Sequence, residues 1–294
     1  MIQDVSNMLK RERLATHCVC CGSAKLTSSP AILMPFVAER VFGWRPVVID
    51  DSWGLKTIAN GHAYSICASL HCTECNFLFL DIRFTDEEMS RLYANYRDIH
   101  YETLRDHYEP GYSATNQLLN MEISYLDKVE NFIRPYLKVI PSILDWGGDT
   151  GKNSPFKTRN RRLDIYDISG KNPILGAQTV TQYDVKNRTY DLVVCSQVLE
   201  HIPYPSDVLH EIRNCMHADS LLYIELPHED LMREELETVE QKKRHWHEHI
   251  NFFSTSALER LLKRCDLKII DIQSIEVESA GKQVNILQAI SSIK

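Results

Sequence analysis

From Pro141 onward the sequence repeats one pattern of apolar run, turn and helix-like segment, and this alternation restricts the second half of the chain to few folds. The runs Ser142–Asp145, Leu163–Ile168, Thr179–Tyr183, Asp191–Ser196, Ser220–Glu225, Lys268–Ile275 and Val284–Ser291 have strand length and lack a helical period. Segments with helical spacing fall between most of them, most clearly Asp207–Met216 and Ser256–Lys263. Such alternation predicts a Rossmann-like α/β fold, a doubly wound and mostly parallel sheet with helices on its faces. The last two runs follow each other without a helix, so the seven-stranded sheet is expected to close with an antiparallel hairpin.

The preceding residues differ in character. Residues 1–83 are expected to form a separate module, and 84–138 a helical connector or lid before the Rossmann-like domain at 139–294. In the connector, Leu118, Met121, Tyr125, Val129, Phe132 and Ile133 recur at helical spacing, Pro110-Gly111 breaks the segment, and Thr85 before Asp86-Glu87-Glu88 reads as a helix start. Six of the nine cysteines lie in the first 80 residues. Cys18 and Cys21, and Cys72 and Cys75, each form a CxxC pair whose two thiolates can grip one metal. Two such pairs complete a tetrahedral all-thiolate site, which suits a structural Zn²⁺ and leaves no position open for catalysis. His17, Cys20 and His71 are adjacent alternatives.

The formal net charge is −7 and the pI about 5.9, which argues against a nucleic-acid backbone as partner. No apolar run approaches the ~20 residues that cross a bilayer. The first residues carry charge and no apolar stretch, so no signal peptide is expected. The expected compartment is the cytoplasm, where thiols stay reduced and clustered cysteines read as metal ligands.

Leu144-Asp145-Trp146-Gly147-Gly148-Asp149-Thr150-Gly151 follows the first apolar run, and its glycines allow a sharp turn and a close ligand approach. Asp167 ends the second run, where a carboxylate can accept from ribose hydroxyls. Asp184 follows the third run, and Tyr190-Asp191-Leu192-Val193-Val194-Cys195-Ser196 forms the fourth. The spacing GGDTG is not the GxGxxG of nicotinamide enzymes. This series resembles the class I methyltransferase family, whose LDxGxGTG loop, second-strand acid and YDLVVCSQVLEH segment have counterparts here. The resemblance implies S-adenosylmethionine as cofactor, held at the loop by Asp145, Gly147, Gly148 and Gly151. It implies ribose contacts at Asp167 and Ile168, adenine contacts at Asp184 and Val185, and a pocket near the methyl group lined by Ser196 and Gln197. The family's middle glycine is Asp149 here.

Methyl transfer to a hydroxyl needs an in-line approach and a base of near-neutral pKa. His201 follows the fourth strand, and Arg244-His245-Trp246-His247-Glu248-His249-Ile250-Asn251 follows the fifth, so both are expected at the ligand-binding edge of the sheet. The HxHxH spacing also permits a metal on one strand face. The paired CxxC motifs, VLEH, and HEHINFFS are similar to zinc-containing sugar methyltransferases, a group that includes C-methyltransferases of nucleotide-linked keto-deoxysugars. That resemblance implies an active site at His201, Glu248 and His249, with Glu248-His249 as the acid/base pair. Longer members of the group carry a further carboxy-terminal domain, whereas this sequence ends at Lys294. The expected reaction is therefore O-methylation of a sugar or glycan, with C-methylation as the alternative. Tyr101, Arg105, Tyr112 and His247 are expected substrate contacts, through stacking and guanidinium recognition. From a different class, a zinc-ribbon binding protein with a degenerate Rossmann half is the rival reading.

Overall fold

The computed structural model describes residues 11–54, 59–234 and 238–294. The first ten residues, on which the signal-peptide reading partly rests, lie outside these. Strands in the amino-terminal part are β1 (Leu26–Leu33), β2 (Val47–Ile49), β3 (Gly61–Ala63), β4 (Ile66–Cys72) and β5 (Phe77–Leu80). The second half supplies β6 (Ser142–Trp146), β7 (Arg162–Tyr166), β8 (Ala177–Thr179), β9 (Tyr190–Ser196), β10 (Met216–Pro227), β11 (His245–Trp246), β12 (Asn251–Phe252), β13 (Leu267–Ser279) and β14 (Lys282–Ile293).

A seven-stranded sheet runs in the order β13-β14-β10-β9-β6-β7-β8. The strands from β8 to β10 are parallel, while β14 runs antiparallel to both β10 and β13. The expected hairpin is therefore present. Its turn, Ala280-Gly281, has φ of 48° and 74°, the pair of positive values that a tight turn between right-twisted strands requires. Central strands read as continuous apolar runs because both faces are covered: in β9, Leu192, Val193, Val194 and Cys195 are all buried.

One expected strand is misplaced. The third parallel strand covers Ala177–Thr179 rather than Thr179–Tyr183, and a helix spans Gln182–Lys186. Thr181 Oγ1 accepts from the backbone N–H of Asp184, and Asp184 answers the N–H of Thr181, a reciprocal cap that starts a helix where a strand was expected.

The second correction concerns domain boundaries. A five-stranded sheet in the order β11-β1-β4-β5-β12 carries the cysteines, and two of its strands come from the second half. β11 pairs parallel to β1 and β12 antiparallel to β5. Trp246 is fully buried in this sheet and donates its indole N–H to Ser69 Oγ at 2.9 Å. Arg83, 2% exposed, donates to Asn251 Oδ1 at 2.9 Å and to the Pro203 carbonyl at 3.2 Å. The boundary at residue 139 is thus not a clean one. This exchange lays the segment His245–Phe252 across the carboxyl edge of the large sheet, where the Ile250 and Asn251 N–H groups donate to the Glu200 carbonyl just past β9.

The connector breaks more often than Pro110-Gly111 alone predicts, into helices at Asp86–Tyr93, Ile99–Tyr108, Tyr112–Leu119 and Leu126–Ile133. Thr85 and Glu88 form the expected cap of the first. Asp98 accepts from the Tyr101 N–H at 2.8 Å and so starts the second afresh.

Candidate active site

A cavity of about 890 Å³ opens at the carboxyl ends of β6, β9 and β10, where ligands bind in open α/β sheets. One side is the loop after β6. Gly147 has φ +76°, and a Cβ there would lie 2.5 Å from Val198 Cγ2; one on Gly148 would lie 2.4 Å from Asp145 Cγ. The loop therefore admits no side chain at either position, and its bare backbone faces the cavity. Burial raises the Asp145 carboxyl to about 7, against the opposing hydrogen bond from Ser154. Asp167 accepts from the N–H of Asp149 at 2.8 Å and of Ser169 at 2.6 Å. Its remaining lone pairs are free for hydroxyl donors.

Asp149 has φ 53°, the left-handed conformation that favours glycine. Its carboxylate is turned toward Lys171 Nζ, 3.0 Å away, and accepts from Ser169 Oγ at 3.2 Å. The extra negative charge is thus answered locally.

Across the cavity stands a group of ionisable side chains. Glu200 is 1% exposed, and neither carboxylate oxygen has a hydrogen-bond partner among the described residues. Burial pushes its carboxyl up to about 8. His201 Nε2 lies 3.8 Å from Glu200 Oε1, and the His201 and His249 rings meet edge-on with centroids 4.6 Å apart. Burial lowers both imidazoles, His249 to about 3, so each is neutral at physiological pH. Main-chain bonds lock this cluster: the Glu200 carbonyl accepts from the N–H of Ile250 at 2.8 Å and of Asn251 at 3.0 Å. The Asn251 side chain donates to the carbonyls of Leu199 at 2.8 Å and Ile202 at 2.6 Å.

Glu225 completes the floor. Its Oε1 accepts from Tyr125, Ser196 and Gln197 at 3.0, 3.0 and 3.1 Å, and its Oε2 from Tyr223 at 2.6 Å.

The profile of the methyltransferase-domain family matches residues 119–272, which include the glycine loop, both strand-end acids and the Glu200–His249 cluster. The chain belongs to the methyltransferase-domain family. It is an S-adenosylmethionine-dependent methyltransferase.

Among solved structures, the methyltransferase is similar to Burkholderia thailandensis 1,6-didemethyltoxoflavin-N1-methyltransferase. The two are 15% identical, with 66% of this chain and 89% of the other covered and a TM-score of 0.45. It is also similar to the glycopeptide N-methyltransferase MtfA, at 10% identity, coverage of 60% and 97%, and a TM-score of 0.45. A Clostridium acetobutylicum S-adenosylmethionine-dependent methyltransferase gives 12% identity, coverage of 66% and 99%, and a TM-score of 0.41. No curated protein matches the sequence. No helix among the described residues is long and apolar enough to cross a membrane.

Asp145, Gly147, Gly148, Asp167, Ser196, Gln197, Arg105, His201, Glu248 and His249 all line the cavity of the methyltransferase. Other expected contacts do not. Ile168 is 74% exposed and points to solvent, while Val185 is buried in the core. Asp184 is spent on its helix cap and on Arg188, 2.8 Å away. Gly151 lies beneath the loop, against Ile165. Tyr101 and Tyr112 are buried behind the wall, and His247 faces Glu109, 3.3 Å away.

Glu248 also differs from its expected part in an acid/base pair. Its Oε1 accepts from Arg105 Nη1 at 2.6 Å and from the Tyr101 hydroxyl at 2.7 Å. Burial would raise this carboxyl, but Arg105 and the Tyr101 hydroxyl outweigh it and hold the group below its ordinary value. A carboxylate held so firmly ionised is a poor proton acceptor at neutral pH. Sequence reading missed Glu200, Glu225 and Asn251; the signal for Glu200 was a carboxylate inside the apolar run Val198-Leu199-Glu200.

In the amino-terminal part, one Sγ from each of Cys18, Cys21, Cys72 and Cys75 lies within 4.8 Å of all the others. Cys18–Cys75 and Cys21–Cys72 are each separated by 3.6 Å. Two thiolates on one tetrahedral zinc ion at ~2.3 Å sit about 3.8 Å apart, so the donor set fits. The alternatives point elsewhere: Cys20 Sγ faces the Ala257 carbonyl at 2.9 Å, His17 turns to Thr16, and His71 bonds Asn76 at 2.8 Å.

Proposed function

We propose that this methyltransferase methylates a hydroxyl of a sugar, carried on a nucleotide or within a glycan, and that a structural Zn²⁺ on Cys18, Cys21, Cys72 and Cys75 braces the sheet beneath its active site. The observation that carries the first part is one cavity with a bare-backbone cofactor loop on one side and the Glu200–His201–His249 cluster on the other. At about 890 Å³ it lies near the upper end of ligand-pocket sizes, roughly 300–1,000 Å³, which leaves room for an acceptor beside a cofactor. Bound S-adenosylmethionine supplies an electrophilic methyl carbon. Asp167 is placed to hold the ribose, and the Gly147–Gly148 backbone the amino-acid part.

An acceptor hydroxyl must lose its proton as it attacks, and the Glu200–His201–His249 cluster offers basic groups at that end, with both Glu200 oxygens unpartnered among the described residues. Glu248 acts by position: its ion pair with Arg105 fixes the backbone from which His249 projects. The lining also carries His228, Gln283 and Asn285, a mixture of donors and acceptors suited to a polyol rather than a flat apolar ring. Support also comes from the resemblance of VLEH and HEHINFFS to zinc-containing sugar methyltransferases.

The test is transfer from methyl-labelled S-adenosylmethionine to a panel of nucleotide-sugars and free glycans, with the product read by NMR. A methyl ether formed by wild type and not by Glu200→Gln supports the proposal. Label that appears on carbon, or only on amine acceptors, contradicts it.

A further inference from the structure

We infer that Glu200, His201 and His249 form a binding site for a divalent transition-metal ion at the acceptor end of the cavity, with open positions for an oxygen-donor ligand. One ligand atom from each residue lies within 4.8 Å of the other two, and Glu200 Oε1 is 3.8 Å from His201 Nε2. Two nitrogen or oxygen ligands on one ion at ~2.1 Å sit about 3.0–3.4 Å apart, so the Glu200–His201 pair closes with a shift of roughly half an ångström, and the pairs with His249, within 4.8 Å, with a shift of at most about 1.8 Å.

The Glu200 carboxylate is the independent observation. It is 1% exposed, and both oxygens lack a partner among the described residues. Burying a polar group without a partner is costly, and a cation at this point removes that cost. Its neighbours in the cavity show the contrast: Glu225 gathers five donors and Glu248 two.

One histidine is prepared in the same sense. His201 Nδ1 lies 3.2 Å from the Glu248 carbonyl and 2.8 Å from the Tyr93 hydroxyl. When Nδ1 carries the proton and donates it to that carbonyl, the Nε2 lone pair faces Glu200. This is the second-layer bond that commonly orients a metal-bound imidazole. The two segments carrying the ligands are clamped by the bonds of Ile250 and Asn251 to Glu200 and Leu199, so the geometry is built into the backbone. The positive charge of Arg105 on the same wall is answered by Glu248 at 2.6 Å and Glu109 at 3.0 Å.

Two imidazoles and one carboxylate suit Zn²⁺, Fe²⁺, Co²⁺ or Mn²⁺ rather than the all-oxygen ions Mg²⁺ and Ca²⁺. Three protein ligands leave positions for a ligand with adjacent oxygens. The site itself stands on side-chain geometry; its use in presenting an acceptor oxygen rests on the function proposed above.

The test is titration of the zinc-loaded full-length protein with Co²⁺, followed by visible absorption. The thiolate site is already filled, so added Co²⁺ reports the new one. The expected result is one equivalent bound, with the weak bands of nitrogen and oxygen ligation, lost in both Glu200→Gln and His249→Ala. Retained S-adenosylhomocysteine affinity shows that these variants are folded, and if one fails that control the other carries the comparison. No Co²⁺ bound, binding unchanged in the folded variant, or thiolate charge-transfer bands alone would overturn the inference. The readout needs no acceptor, so a failed acceptor screen and a failed metal titration are distinguishable.

Discussion

Arg105 donates to Glu248 Oε1 at 2.6 Å in the cavity wall, and the guanidinium also lies over the Tyr112 ring, 4.1 Å from its centroid. Both partners of the ion pair are largely shielded, with side-chain exposures of 14% and 9%. Removing the cation would strand a buried carboxylate. Arg105→Met is expected to lower stability by about 3–5 kcal/mol, and adding Glu248→Gln to restore much of it. Denaturant unfolding of the two variants measures this; equal stability of wild type and Arg105→Met would show that the pair holds nothing together.

The thiolate cluster makes a separate prediction. Cys72 lies in the buried knuckle at the end of β4, and its carbonyl accepts from the Asn76 N–H at 2.9 Å. Cys72→Ser should remove one zinc per chain and destabilise the amino-terminal sheet, since structural zinc contributes folding energy directly. Metal analysis with a thermal melt checks it. A variant that keeps its melting temperature while losing zinc would refute the bracing role.

Asp149 and Lys171 should act as a unit. With the carboxylate turned to Lys171 at 3.0 Å, Asp149→Gly relieves the left-handed backbone and leaves cofactor affinity within about threefold. Lys171→Ala leaves an unanswered charge by the loop, and is expected to change affinity more than Asp149→Gly does. Calorimetric titration with S-adenosylhomocysteine of both single variants and the double decides the matter, because coupled residues depart from additivity.

Much of the fold was legible because the central strands are covered on both faces and so contain apolar runs, Leu192-Val193-Val194-Cys195 in β9 and Leu221-Leu222-Tyr223-Ile224 in β10. β8 was misread because an edge strand of Ala177–Thr179 carries no such signature, while the Thr181–Asp184 cap that ends it resembles a strand end. The joining of β11 and β12 to the cysteine-bearing sheet was not legible at all. Each is two residues long, and long-range pairing rather than local preference places them. The glycine loop, Asp167 and His201 were legible as cavity-edge positions from their places after strands, and His249 from the resemblance carried by HEHINFFS. Glu200 was not, since its meaning depends on the absence of any partner around it. Tyr101 and Tyr112 look alike in sequence whether they face a ligand or, as here, a buried ion pair.

Cofactor binding should release protons. In the cofactor-free protein burial holds the Asp145 carboxyl at about 7, far above its ordinary range. A cationic ligand in the cavity favours the ionised form, so below pH 7 its binding expels a proton. S-adenosylmethionine affinity is therefore expected to rise with pH up to about 7 and level off above it. Calorimetry in buffers of different ionisation enthalpy counts the protons; Asp145→Asn should remove this contribution, and an unchanged count in that variant would refute it.

The most direct test of the account separates the two ends of the cavity. His249→Ala and wild type are titrated with S-adenosylhomocysteine, then assayed for methyl transfer to the acceptor found in the nucleotide-sugar and glycan screen. The account predicts matching cofactor affinity and a fall in turnover of at least about a hundredfold. Turnover unchanged in His249→Ala, or no cofactor bound by the folded wild type, would contradict it.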